Sequence, residues 1–161
     1  MKKMLVVTIA LLSMTGCTKT SIVDYINEKT DIDISDCNII IDKNTQDWFH
    51  GDGEHFVKAN CSNASEKLLK QVKSWNELPF SENIGLIMYG GTKDGINYGY
   101  ELANKIGIPK IENGYYLFID RHDESKGIHD DSELLDRGSF NFSLVIYDKD
   151  SNIFYYYTFD T

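Results

Sequence analysis

The chain has 161 residues, and its 25 acidic against 16 basic side chains give a formal net charge of −9. A chain this acidic lacks the cluster of basic side chains that binds a phosphate backbone. We therefore expect no nucleic-acid partner. Electrostatic attraction to anionic lipid headgroups is disfavoured for the same reason. The length suits one domain with an adequate core.

The first 16 residues have the order of a secretory signal. Lys2 and Lys3 precede an apolar run over residues 4–12, and small or polar residues then lead to Cys17. The run is shorter than the roughly 20 apolar residues that a transmembrane helix needs. We predict a bacterial lipoprotein signal peptide at residues 1–16 that is cleaved before Cys17; the alternative is an ordinary secretory signal that contains a cysteine.

Cleavage at that point removes 16 of 161 residues and both lysines of the signal, which leaves 145 residues with a net charge of about −11. Residues 17–20 would then form a lipidated tether, and residues 21–161 a single α+β domain. Two or more acyl chains anchor a protein stably. Lipid on Cys17, palmitate included, would therefore hold the protein at the extracytoplasmic face of the cell membrane.

Residues 21–61 predict a helix followed by a β-hairpin. Apolar residues at helical spacing indicate a short helix over 21–29, and strand-like runs occupy 37–42 and 56–61. A hairpin centred on Phe49 pairs Cys37 with Cys61, Ile39 with Ala59 and Ile41 with Val57. Opposed Cα atoms lie about 5 Å apart, within disulfide range. Cys37 and Cys61 are therefore a candidate disulfide, with two buried free thiols as the alternative.

The middle of the chain predicts two helices and a strand. Asn63 and Glu66 have the spacing of a capping box at the start of a helix that Pro79 ends. The apolar stripe of this helix consists of Leu68, Leu69, Val72 and Trp75. The short run 84–89 is interpreted as a strand, and residues 96–106 as a helix that ends at Gly107.

The last third of the chain is strongly β. Strands are predicted at 115–120, 140–147 and 153–159, the last two as a hairpin, and a long polar connection covers 121–139 with a helical turn at 132–135. The tyrosines at 155–157 alternate between faces, so one set is expected in the core and the other on the sheet surface, where it could contact a partner. Together these elements predict an α+β fold, with an antiparallel sheet of about five strands and two to three helices packed on one face.

The sequence WFHGDGEH at 48–55 contains a first group of residues that could bind a metal or act in catalysis. His50, Asp52, Glu54 and His55 carry imidazole and carboxylate groups that suit zinc or manganese. Their spacing matches no zinc-protease motif, and neighbouring strand residues point to opposite faces. Gly51 and Gly53 favour a tight turn instead, so we predict no metal and no cofactor.

A second group follows the strand that ends at Asp120. His122, with Asp120 and Asp123 and with His129 nearby in the sequence, could perform acid–base chemistry if a nucleophile lay within hydrogen-bond reach. No serine or cysteine, however, lies in a recognisable nucleophile motif. The alternative is that Asp120 and Arg121 form structural ion pairs or fix the loop by hydrogen bonds. The acidic residues of the loop lack the spacing of an EF-hand calcium loop.

Several motifs in fixed order carry a resemblance that spans roughly residues 42–161. They are WFHGDGE, WNELP, NGYYLFIDRH, SFNFSLVIYD and YYYTFDT. In this order they resemble a family of small exported proteins of Gram-positive bacteria whose activity is uncharacterised. The resemblance implies kinship and supplies no activity, cofactor or catalytic residue.

Two hypotheses of function follow. The first is a non-enzymatic surface lipoprotein that binds another protein, as an accessory or immunity-type factor; anchoring, acidity and the lack of catalytic motifs favour it. The alternative is a surface hydrolase or metal-dependent enzyme that uses His50, Asp52, Asp120 and His122. This alternative gains support if the four side chains converge on one pocket.

Overall fold

A computed structural model describes residues 21–46 and 51–161. The signal peptide, the tether with Cys17, and residues 47–50 with His50 and the hairpin centre at Phe49 lie outside the described residues. The helices are α1 (Ile22–Thr30), α2 (Ser65–Gln71), α3 (Glu82–Tyr89) and α4 (Leu102–Ile106). The strands are β1 (Asn38–Asn44), β2 (Gly53–Asn60), β3 (Asn76–Glu77), β4 (Gly91–Lys93), β5 (Ile96–Tyr98), β6 (Gly114–Asp120), β7 (Asn141–Asp148) and β8 (Ile153–Asp160).

The predicted α+β class with an antiparallel sheet is confirmed. Six strands form the main sheet in the order β1-β2-β8-β7-β6-β3, and β4 and β5 form a separate two-stranded ribbon. Every pairing is antiparallel. The sixth strand of the main sheet is the two-residue β3, which is too short to show a pattern in the sequence.

The helices lie on both faces of the main sheet, which differs from the expected single face. One core cluster joins α3 and α4 to β6, β7 and β8 through Met88, Leu102 and Leu144. The other joins α1 and α2 to the opposite face through Ile26 and Leu68.

Because helices cover both faces of the main sheet, the three consecutive tyrosines of β8 are all buried. Tyr155 and Tyr157 belong to the first cluster, and Tyr156 belongs to the second. All three are at most 2 % exposed, so the expectation that one set lies on the surface is wrong. Both faces of β8 are core.

The β1–β2 hairpin follows the predicted register only over its first residues. Ile39 pairs with Ala59 as expected, but a β-bulge between Ile39 and Ile41 shifts the remaining pairs, so that Val57 lies opposite Asp42 and the Ile41 side chain is exposed. Bulges are common in edge strands, where they discourage pairing with other chains. Cys37 and Cys61 form a disulfide in the structure, with their Cα atoms 4.4 Å apart.

The helix predictions have mixed outcomes. The helix predicted at 21–29 is confirmed as α1, with Ser21 as its N-cap. Asn63 does not cap α2, because a 3-10 turn over Ser62–Ala64 precedes it. The run predicted as a strand at 84–89 is α3, whose first turn is capped by the Ser81 side chain.

Two local signals explain these errors. A short apolar run does not distinguish a buried strand from a buried helix, and the strand prediction at 84–89 is wrong for this reason. The predicted helix at 96–106 divides into β5 and the shorter α4, because Gly95 in a left-handed turn pairs β4 with β5. The predicted end at Gly107 is confirmed by its left-handed conformation.

None of the helices in residues 21–46 and 51–161 has the length and apolar character of a membrane span.

Candidate functional site

A polar cavity of about 620 Å³ opens at one end of the main sheet, and we call it the end cavity. It forms where β6 and β8 end and where β2 and β7 begin. Its lining residues are Gln46, Gly51, Asp52, Arg121, His122, Asp123, Ser139, Phe140, Asn141, Asp160 and Thr161.

Strand register brings these distant segments together. Asp160 at the end of β8 lies opposite Gly53 of β2 on one side and opposite Asn141 of β7 on the other. A side chain at position 53 would meet the Thr45 carbonyl oxygen at 2.7 Å, and the φ of Gly53 is +130°. Glycine therefore permits the close approach of residues 45–46, of which Gln46 lines the cavity.

Asp120, one of the predicted site residues, lies behind the cavity wall in a sealed ion pair. The Arg137 guanidinium donates to both carboxylate oxygens, at 3.1 and 2.6 Å, and the Asp120 side chain is 1 % exposed. Asp120 Oδ1 also accepts the backbone N–H of His122 at 3.2 Å. The carboxylate thus fixes the start of the long loop, as the structural interpretation of this residue requires.

Arg121 and Asp160 form a second, more open pair in the cavity wall. Arg121 Nη2 donates to Asp160 Oδ1 at 2.8 Å and to the Phe142 carbonyl at 2.9 Å, while Gln46 Nε2 donates to Asp160 Oδ2 at 2.7 Å. Burial raises the pKa of the Asp160 carboxyl, and the negative charge of Asp52 raises this pKa further; Arg121 and Gln46 act in the opposite direction. Burial therefore makes the charged form of Asp160 less favourable than it is in water, although both carboxylate oxygens accept hydrogen bonds.

His122 lies between a serine and a carboxylate. Its Nε2 is 3.1 Å from Ser139 Oγ, and its Nδ1 is 3.3 Å from Asp123 Oδ1. The backbone N–H of Glu124 also reaches Nδ1, at 3.2 Å. The imidazole therefore connects the two ends of the loop over residues 121–139 at the edge of the cavity.

The cavity has more acceptors than donors. Among the described residues that line it, the carboxylates of Asp52, Asp123 and Asp160 share the cavity with one guanidinium, that of Arg121. Asn141 Oδ1 is buried and accepts no hydrogen bond from the part of the chain that the structure describes. This composition suits a ligand that carries N–H groups or a positive charge.

The remaining predicted residues are dispersed. The His55 imidazole contacts Asp42 at 2.8 Å, and His129 Nδ1 donates to the Phe118 carbonyl at 2.7 Å, so both histidines have structural partners. Glu54 lines a different, smaller pocket. Across residues 21–46 and 51–161 no three His, Cys, Asp or Glu side chains are grouped as metal ligands.

Of the four residues proposed for catalysis, Asp52 and His122 line the end cavity, Asp120 holds the backbone of His122, and His50 lies outside the described residues. Sequence reasoning missed Ser139 and Asp160. Ser139 directly precedes the strand predicted at 140–147, and Asp160 directly follows the one predicted at 153–159. The predicted hairpins could have placed Ser139 and Asp160 at the same end of the sheet as His122. The pairing of β2 with β8, however, had no sequence signal.

Comparisons with known proteins add no relative to this description. No protein-family model matches the chain. No curated protein and no solved structure matches it at a significant level.

Proposed function

We propose that this chain is a lipid-anchored extracytoplasmic protein that binds a partner protein, and that the end cavity receives a basic segment of that partner. The observation that carries the proposal is the excess of acceptors in the cavity: three carboxylates of the described residues share it with one guanidinium, which is already paired. A lysine or arginine side chain would compensate that charge.

The rest of the surface supports the choice of this cavity. Helices cover both faces of the main sheet, and the aromatic side chains of β8 are buried except for the partly buried Phe159, so β8 offers no large exposed aromatic patch to a partner. The net charge of −9 would also steer a basic partner toward the protein at low ionic strength. An accessory or immunity-type role fits a surface protein that recognises another protein by charge.

Calorimetric titration of the full-length protein with two peptides tests the proposal. We expect acetyl-Gly-Lys-Gly-Arg-Gly-amide to bind at least about tenfold more tightly than its glutamate counterpart at low salt, and the preference to shrink at high salt because screening weakens it. The variant Asp52→Asn/Asp123→Asn should lose most of the preference.

The matched control is Asp94→Asn/Glu112→Gln, which removes two exposed carboxylates outside the cavity. It changes the net charge by the same amount and should keep the preference. Equal losses in both double variants would show that general charge, and not the end cavity, selects the peptide, and would reject the proposal.

Anchoring has a separate test. Replacing Cys17→Ala removes the residue that would carry lipid, so we expect the protein to move from the membrane fraction to the medium. Immunoblots of both fractions measure this. Retention of the variant in the membrane fraction would contradict lipid anchoring and leave the peptide experiment unaffected.

A further inference from the structure

We propose that Ser139 and His122 form a nucleophile and general-base pair that cleaves a carboxylic ester or amide bound in the end cavity. This is an activity beyond partner binding. The pair lies at the cavity wall, its Oγ to Nε2 distance is 3.1 Å, and both residues line the open space. Nucleophile and base within hydrogen-bond reach, with a third group that orients the base, are the arrangement that such chemistry requires.

The third group is Asp123, which lies 3.3 Å from the other imidazole nitrogen. Two proton placements are available to His122. When Nδ1 accepts the Glu124 N–H, Nε2 carries the proton and donates to Ser139. When Nδ1 carries the proton instead, the exposed Asp123 carboxylate is the nearby acceptor, at 3.3 Å, and Nε2 is free to accept the Ser139 proton. The second placement is the reactive one.

A backbone hydrogen bond and the burial of its side chain hold His122 in place. The backbone N–H of His122 donates to Asp120, whose carboxylate is fixed by Arg137. The side chain of His122 is 13 % exposed, so its ring is restrained on most sides and open toward the cavity. Asp120 is therefore a positioning residue for His122.

Arg121 supplies positive charge in the wall of the same cavity. Only its Nη2 has acceptors within the described residues, and its side chain is 36 % exposed at the cavity. The free N–H groups can stabilise the negative oxygen that develops when a carbonyl carbon is attacked.

The reaction divides into two balanced steps. Ser139 Oγ bonds to the acyl carbon while its proton passes to His122 Nε2, and His122 returns that proton to the leaving alcohol or amine as the ester or amide bond breaks. Water then attacks the acyl-serine and gives a proton to His122. The Oγ–acyl bond breaks, Ser139 regains the proton, and a carboxylic acid leaves.

Labelling of the full-length protein with a neutral fluorophosphonate tests the pair. We expect one adduct per chain, mapped to Ser139 by peptide mass. Ser139→Ala should abolish it, and His122→Gln should slow it by about 100-fold because the general base is lost. Ser132→Ala is the matched control, since Ser132 is an exposed serine of the same loop that does not line the cavity.

A second variant keeps the test valid if Ser139→Ala fails to fold. Ser139→Cys should react with iodoacetamide at least about tenfold faster than Ser132→Cys, and adding His122→Gln should remove the difference, because the histidine promotes the thiolate. Absence of an adduct at Ser139 in the unaltered protein, or equal reactivity of the two cysteine variants, would overturn the proposal.

The charge of the substrate rests on the proposed function and is tested separately. The acidic cavity should favour the 4-nitrophenyl ester of N-acetyl-lysine over that of N-acetyl-glutamate by at least about tenfold in kcat/KM at low salt. An adduct at Ser139 without this preference would refute only the basic ligand. A lysine-peptide preference without any adduct would refute only the nucleophile.

Discussion

Two ion pairs begin at neighbouring residues, Asp120 at the end of β6 and Arg121 directly after it, and they differ in their access to water. The side chains of Asp120 and Arg137 are 1 % and 5 % exposed, whereas those of Arg121 and Asp160 are 36 % and 11 % exposed. The comparison indicates that the sealed pair holds the loop over 121–139, while the open pair belongs to the wall of a cavity that a ligand can enter.

The largest effect is expected from breaking the sealed pair. Arg137→Met leaves the Asp120 carboxylate buried without a counter-charge, so the free energy of unfolding should fall by about 4 kcal/mol. Arg121→Met should cost about 1 kcal/mol or less, because its partner remains closer to water. Urea denaturation followed by circular dichroism measures both.

The control for this comparison is Asp120→Asn/Arg137→Met, which removes both charges and should recover part of the loss. Similar losses for Arg137→Met and Arg121→Met would show that the two pairs do not differ in the way their exposure indicates.

A second prediction concerns the end of the sheet away from the cavity. β2 begins at the cavity with Gly53 and ends at Asn60, so Cys61 lies more than about 20 Å farther along the strand direction. Replacing Cys37→Ala and Cys61→Ala together should lower the free energy of unfolding by about 3 kcal/mol, because the unfolded chain gains freedom. Peptide binding at the end cavity should not change.

Thermal or urea unfolding gives the stability, and calorimetric titration with the lysine- and arginine-containing peptide gives the binding. Reduction of the unaltered protein by dithiothreitol serves as the control and should match the double variant. A large loss of peptide affinity in the double variant would show that the two ends of the sheet are coupled.

The smallest effect concerns the pH dependence of the open pair. Because the pKa of Asp160 is raised in the folded state, its contribution to stability is fully present below the unfolded value of about 3.9 and is lost as the pH rises through the folded pKa. Relative to Asp160→Asn, the unaltered protein should therefore be more stable at pH 3 than at pH 7.

Urea denaturation of both proteins at the two pH values measures the difference, and carbon-13 NMR titration of the Asp160 carboxyl measures its pKa directly. Arg121→Met should raise that pKa further, since Arg121 lowers it. A fall of the pKa in this variant would contradict the assigned pairing.

Local pattern was sufficient to predict much of the fold. Alternating residues and turn-forming polar residues located the hairpin of β7 and β8, and helical spacing after Ser21 located α1. The pattern failed where tertiary context decides; for example, the run at 84–89 is helix, and the bulge in β1 changes the pairing of Ile41.

The site was less predictable, because it depends on contacts between segments far apart in the chain. His122 and Asp52 were identified by residue type, but the partner of His122 is Ser139 and the neighbour of Asp52 is Asp160. Neither contact follows from spacing, since the first closes a 17-residue loop and the second requires β2 to pair with β8.

The most direct test of the central claim is a nitrogen-15 NMR titration of the full-length protein in detergent micelles with acetyl-Gly-Lys-Gly-Arg-Gly-amide. We predict that the amide shifts which move concentrate at the end cavity, with those of Asp52, His122 and Asn141 among the largest, and that Asp52→Asn/Asp123→Asn suppresses them. Shifts that instead concentrate on α1 and α2, or that are the same in the double variant, would contradict the claim that the end cavity is the binding site.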